Sequence, residues 1–324
     1  MKATNDDIKI LPSKNQLRLF GFRNYFNSFI KLYEKEKLPN SMLLSGAKGL
    51  GKSTFAYHII NYLLSKNEEK KYSVEDFAID ETNLSYRLLN THTHPNFFLI
   101  ENNLLERDIK IEQVRNLLKF LNKSTYTRNL KIIMIDSAEY LNLNASNALL
   151  KVLEEPQNNT FFFIIHNSAT KIPDTIRSRC TEFKFFFTIA EKKTIFESVI
   201  KQYKDESKLN HIVEHLYYDT PGNLTKYFLA LDRANINLSG DKLSCILHLI
   251  EKYKNEKNHE TLTFLCLFIQ KFYNDLCIYN DNNVSSYLFN LSRILNQIDD
   301  MRKFNLNEKN ILIWIKDILL HEAK

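Results

Sequence analysis

The chain has 324 residues, 44% of them hydrophobic, and carries 44 basic against 38 acidic residues for a formal net charge of +6. That length accommodates two or three domains with a real core, and the interspersion of both charge signs excludes a dedicated basic arm for nucleic acid. Four cysteines, Cys180, Cys245, Cys266 and Cys277, stand far apart without CxxC spacing, which argues against zinc and against a disulfide framework and fits a reducing cytoplasm. The N-terminal MKATNDDIKILPSK has no apolar signal region, and the densest apolar run, Phe161 to Ile165, falls far short of the roughly 20 residues of a membrane span. Neither export nor membrane insertion is expected.

In chain order, the first informative stretch is SMLL at 41–44, a short apolar run, followed by the turn SGAKGLGKST and by FAYHIINYLL at 55–64 with helical apolar spacing. Glycine is scarce, six in the chain, and three of the six fall between Gly46 and Gly51. Gly46-Ala-Lys-Gly-Leu-Gly-Lys52-Ser53 satisfies GxxxxGK[ST] in the strand-to-helix context that a phosphate-binding loop requires. Gly46, Gly49 and Gly51 let backbone N–H groups curl around phosphates, Lys52 reaches the β and γ oxygens, and Ser53 ligates magnesium. Thr54 follows at the start of the helix, whose N-terminal dipole adds attraction for the anion. ATP with magnesium is the cofactor this pattern calls for.

Segment 65–90 is polar and irregular in period and reads as an insertion. Beyond it, the runs FFLI at 97–100, KIIMID at 131–136 and TFFFIIH at 160–166 alternate with helical patterns such as IEQVRNLLKFL at 111–121, which predicts a parallel sheet covered on both faces. Asp136 ends its strand where a magnesium-associated aspartate belongs in such NTPases, but the next residue, Ser137, is not the carboxylate that would activate water. Glu139 lies three residues on and is expected to face solvent. In 142–156, Asn142 or Asn144 caps a helix, Leu149, Leu150 and Leu153 form its apolar stripe, and Pro156 ends it. His92 and His94 lack a third ligand and are expected to be loop residues. After about residue 188 the strand signals stop; TPGN at 220–223 and NLSGDK at 237–242 break the helical remainder.

Together the phosphate loop, the Asp136 strand, the helix ASNALLKVLEEP at 145–156 and KIPDTIRSRC at 171–180 resemble bacterial clamp-loader subunits of the AAA+ superfamily, over residues 16–190. The resemblance implies an α/β P-loop AAA+ domain at 1–188, a small helical lid domain at 189–235 and a C-terminal all-α collar domain at 236–324. Within that family the chain looks like the non-motor delta-prime class of the DNA polymerase III loader. The motor class has Asp-Glu where this chain has Asp136-Ser137, and G-x-x-R where it has Gly222-Asn-Leu-Thr225. A four-cysteine zinc module that often precedes Thr93-His94-Pro95 is absent, so no zinc is expected.

The resemblance further implies that Arg179, in Ser178-Arg179-Cys180, acts in trans as an arginine finger in the neighbouring subunit's ATP site, with Arg177 the poorer candidate. Asn167, at the end of its strand, matches the sensor position, although it equally suits a turn cap. The implied partners are the gamma/tau motor subunits and the delta subunit in a hetero-oligomer, and through them the sliding clamp and primer-template DNA. The competing reading is an autonomous AAA+ ATPase, or a gamma/tau-like motor, driven by its own P-loop; Ser137 and Thr225 speak against it.

Overall fold

The computed structural model describes residues 10–102, 108–122, 130–203, 219–233, 242–279, 283–304 and 306–322. They divide into two compact units, one within Lys9–Lys204 and Tyr217–Thr225, the other within Lys226–Lys324. The first is built on five strands, β1 (Ser41–Gly46), β2 (Phe97–Ile100), β3 (Lys131–Ile135), β4 (Thr160–Asn167) and β5 (Thr181–Lys184). Their order is β2-β3-β4-β1-β5 and all four pairings are parallel. The expected doubly covered parallel sheet is therefore present. Parallel strands need helical crossovers, and these bury both faces, which is why β1 and β3 read as unbroken apolar runs rather than as alternations.

The two faces have separate cores. On one, α1 (Arg23–Glu34) and α2 (Lys52–Leu64) cover Met42, Leu44, Ile132, Met134, Phe163 and Ile165. Much of this core is aromatic: Phe22 packs on Phe55, Phe185 and Phe187 with centroids 4.9–5.4 Å apart, and Phe29 meets Phe55 edge-on at 5.1 Å. Tilted and edge contacts of this kind each add to the area term, so the sheet is anchored firmly to the helix that carries the phosphate loop. On the other face, α4 (Ile111–Leu121) and α5 (Leu143–Glu154) cover Leu43, Ile133, Ile135, Phe162 and Ile164.

Segment 65–90, read from its polarity as an insertion, is more tightly integrated. Tyr72, Phe77 and Ile79 are buried in the first core, and α3 (Leu84–Asn90) ends the segment. Its polar residues supply the order. Glu68 accepts the Leu84 and Ser85 N–H groups at the start of α3, Asn83 caps Tyr86 N at 2.7 Å, and buried His58 bridges Tyr72 Oη and the Gln16 carbonyl. Burial holds the His58 imidazole neutral, its pKa pushed down to about 3. His92 pairs with Lys14 Nζ and His94 accepts the Asn96 N–H, so each has a protein partner.

Strand β5 escaped notice in the sequence because it is a four-residue edge strand, TEFK, with no fully buried residue. The single turn α6 (Asp174–Arg177) precedes it, and α7 (Ile189–Ile200) follows it, its start fixed by a reciprocal Thr188–Glu191 capping box. Helix α8 (Pro221–Arg233) opens with proline at its first helical position, where no N–H is needed.

In the second unit, α9 (Lys242–Glu256), α10 (His259–Tyr279), α11 (Val284–Phe304) and α12 (Glu308–Glu322) surround Ile246, Ile250, Leu265, Ile269, Tyr273, Ile294, Leu312 and Ile315. Each packs on the next, and α12 returns to α9. The lid–collar boundary expected at 235/236 lies outside the described residues, as does most of the NLSGDK break. Among the described residues, no helix is long and apolar enough to cross a membrane.

Candidate nucleotide site

The expected loop lies between β1 and α2, with Gly49 at φ 83° and Gly51 at φ 99°. Both are left-handed conformations that L side chains rarely adopt, which explains two of the three clustered glycines. Lys52 begins α2 with its ammonium buried over the loop, donating to the carbonyls of Gly46 at 2.7 Å and Ala47 at 2.8 Å. Burial lowers its pKa to about 8, while the charges of Glu139 and Asp136 act in the opposite sense. Ser53 Oγ donates to Asp136 Oδ2 at 2.9 Å, so the hydroxyl from the helix and the carboxylate from the end of β3 are in contact. Desolvation raises the Asp136 pKa, with the Ser53 hydrogen bond opposing. Thr54 is half-buried in the first turn of α2.

These residues fit a magnesium-bound phosphate ligand. The loop glycines leave the backbone bare, an ammonium sits at the loop, and the two residues expected to hold magnesium already touch. Lys52 and the loop N–H groups would hold phosphates, and Ser53 and Asp136 the cation, which supplies charge neutralisation when bound.

Around this cradle lie the other residues singled out in the sequence. Ser137 takes the left-handed conformation, φ 62°, and its hydroxyl lies 3.4 Å from Asp136 Oδ1. Thr225, expected from the resemblance to stand where a motor subunit has its lid arginine, is buried and donates Oγ1 to the Pro221 carbonyl at 2.8 Å, back-bonding to its own helix. Asn167 sits at the end of β4 beside Gly46 in the register. Its side-chain oxygen accepts the Ala169 N–H at 3.2 Å, so it caps the following turn.

Glu139 departs from expectation. It is half-buried, not solvated: the left-handed step at Ser137 and the 3-10 turn Ala138–Tyr140 bring its Oε2 to the Asn167 N–H at 3.2 Å. Spacing along the sequence gave no hint of this, because the reversal depends on one non-glycine residue with positive φ.

TPGN, which reads as a break within the helical remainder, rests on the loop. Thr220 Oγ1 donates to the Lys48 carbonyl and Gly222 N–H to the Gly49 carbonyl, each at 2.9 Å, while Asp219 accepts from Thr220 N and Asn223 Nδ2. Turn formers signal a change of direction; they do not signal what the turn lies against.

Arg179 follows α6. Its guanidinium pairs with Glu154 at the end of α5 and donates to the Thr175 carbonyl at 2.8 Å. Arg177 pairs with Glu182 at 2.8 Å, which raises the arginine's pKa and lowers the glutamate's. Cys180 is half-buried and burial raises its thiol to about 12, an inert side chain.

The subunit delta' of DNA polymerase III from Pseudomonas aeruginosa is 32% identical over 143 residues, 44% of this chain and 42% of that one, so the match spans less than half of the relative's length. Subunit delta' from Buchnera aphidicola subsp. Acyrthosiphon pisum is 26% identical over 305 residues, covering 89% of this chain and 85% of its own. Among solved structures, a DNA polymerase III gamma subunit-related protein from Thermotoga maritima aligns with a TM-score of 0.46 at 17% identity, over 91% of this chain and 100% of that one. The family described as DNA polymerase III, delta subunit, matches residues 22–187, just over half of the chain and the whole span from the first core helix to the end of the sheet unit's last strand, and the chain belongs to that family.

Proposed function

We propose that this chain is a delta-prime-like, non-motor subunit of a DNA polymerase III clamp loader, which donates Arg179 to the ATP site of a neighbouring motor subunit. The observation that carries the reading is the mismatch within one site: Ser53 and Asp136 remain in contact, while Ser137 supplies no carboxylate and Thr225 bonds its own helix. A P-loop without a water-activating base and a phosphate-sensing arginine keeps its affinity for phosphate and loses most of what makes phosphoryl transfer fast. Binding of ATP with magnesium at Lys52, Ser53 and Asp136 belongs to this proposal, as does assembly with gamma/tau and delta subunits around the sliding clamp and primed DNA.

Arg179 suits a role in trans. It follows a single-turn helix and precedes β5, whose first residue Thr181 pairs with Met42 at the end of β1 opposite the loop, and its half-buried guanidinium is held by Glu154 and the Thr175 carbonyl. A guanidinium beside a transferring phosphate is worth about 10³ to 10⁵ in rate. The test is a reconstituted loader in which Arg179→Ala lowers DNA-stimulated ATPase, with the isolated chain showing negligible turnover. Vigorous ATP hydrolysis by the isolated chain, abolished by Lys52→Ala, would instead make it a motor.

A further inference from the structure

The sheet of the first unit ends in an open edge. In the order β2-β3-β4-β1-β5, β5 pairs with β1, and among the described residues no strand lies on its other side. Phe185 N–H donates to the Ser45 carbonyl at 2.8 Å, so the period of two along a strand turns the Phe183 and Phe185 N–H groups toward β1 and those of Glu182 and Lys184 outward. Thr181, Lys184 and Phe186 are exposed along this stretch. A cleft of about 800 Å³ opens on one face of the edge. His166, Ser45 and Lys184 stand level across β4, β1 and β5 and form part of its floor. The two buried groups of that row bond each other at 3.4 Å, and His166 Nε2 meets the Thr170 carbonyl at 3.1 Å, so the floor is already satisfied. Lys171, Arg177, Lys184 and Lys192 line the cleft against Asp174 and Glu182. Because Arg177 pairs with Glu182 at 2.8 Å, the field left over is positive. Phe186 borders the cleft with 71% of its surface exposed, an apolar side chain that the fold itself leaves uncovered.

An edge strand with outward donors and acceptors is a template for one more strand. We propose that the β5 edge and its cleft form a docking site for an extended acidic peptide of a partner protein. The peptide adds a strand beside β5, its carbonyls accepting the Glu182 and Lys184 N–H groups, with a carboxylate beside Lys184 and an apolar side chain against Phe186. A residue of the added strand level with Lys184 lies on the same face, about 5 Å away between Cβ atoms, which is close enough for an ion pair. In this mode main-chain bonds give affinity and alternate side chains give selectivity. Nucleic acid could use the lysines and Phe186, but main-chain donors spaced along a strand match a peptide backbone, and the edge therefore favours a peptide. The site goes beyond the proposed function and depends on neither the phosphate loop nor Arg179.

The test uses the full chain and three dye-labelled probes read by fluorescence anisotropy: an octapeptide alternating Glu and Val, its Lys-Val counterpart, and a thymidine oligonucleotide of the same charge as the acidic peptide. The wild type should bind the Glu-Val peptide more tightly than either other probe, and amide hydrogen exchange at Glu182 and Lys184 should slow in the complex. Lys184→Gln should weaken binding about threefold to fivefold, the size of an exposed ion pair. Lys184→Pro should weaken it about fivefold further through the lost main-chain donor. That N–H faces away from β1, so proline leaves the existing ladder intact. Lys171→Gln, on the loop after β4, should also lower affinity and guards against a damaged edge. Failure of the wild type to bind the Glu-Val peptide, equal binding of the Lys-Val peptide, or equal affinities for Lys184→Gln and Lys184→Pro would overturn the assignment. So would tighter binding of the oligonucleotide, since the cleft would then serve nucleic acid.

Discussion

Asp136 shows how a buried carboxylate opposes stability. Burial raises its pKa, so between its unfolded and folded values the native state binds more protons than the unfolded one, and stability falls as pH rises through that window. At neutral pH the ionised group is therefore a net liability to the ligand-free chain. We expect Asp136→Asn, which keeps an acceptor for Ser53 Oγ, to raise the melting temperature at neutral pH, to lose that advantage below the unfolded carboxylate pKa, and to weaken magnesium-dependent nucleotide binding. Thermal melts across pH with and without magnesium nucleotide measure all three. At this scale the sequence was most legible where chemistry and spacing coincide: Gly49, Gly51, Lys52, Ser53 and Asp136 stand where GxxxxGK[ST] and a strand-terminal Asp put them. Glu139 was illegible because its direction depends on the positive φ of Ser137, a conformation that no residue type at 137 announces.

Elements with strong local signals came out close to their expected bounds. The helix read at 111–121 is α4, and Asn142, one of two candidate caps for α5, accepts the Ala145 N–H at 2.8 Å. That hydrogen bond satisfies one of the orphan donors at the helix start. Asn142→Ala should cost about 1 kcal/mol of unfolding free energy, within the range of N-cap deletions, read as a shift in denaturant midpoint with unchanged slope. Because α5 also carries Glu154, the partner of Arg179, fraying of its first turn should leave the Arg179 contact at its far end intact. Strand β5 and segment 65–90 were the poorly legible elements, for opposite reasons. The strand is too short and too polar to show a period, whereas the segment's order comes from long-range polar contacts such as Glu68–Ser85 and His58–Tyr72, which no local pattern encodes.

On the scale of the whole chain, two separately packed units make separable roles testable. The three-part division at 188 and 235 remains a proposal, and it assigns the region after residue 235 to assembly. A chain ending at residue 233 should keep nucleotide binding at the sheet unit and fail to enter the hetero-oligomer with gamma/tau and delta subunits. Size-exclusion chromatography of the mixed subunits checks this, and normal incorporation of the shortened chain would refute it. The broad α/β character was legible because buried parallel strands show as runs such as TFFFIIH; how the helices after 242 pack together was not, since their apolar stripes fix which faces are buried and leave the choice of neighbour open.

The contact of Gly222 with the Gly49 carbonyl has an evolutionary consequence. A methyl group on Gly222 would come within 2.6 Å of that carbonyl oxygen, and one on Gly49 within 2.4 Å of Thr220 Oγ1. Six glycines are all this chain has. Two of them meet here, so a single-base change at either codon that adds a side chain would disturb the phosphate loop and the opening turn of α8 together. The two segments are far apart along the gene, yet neither is free to drift without the other.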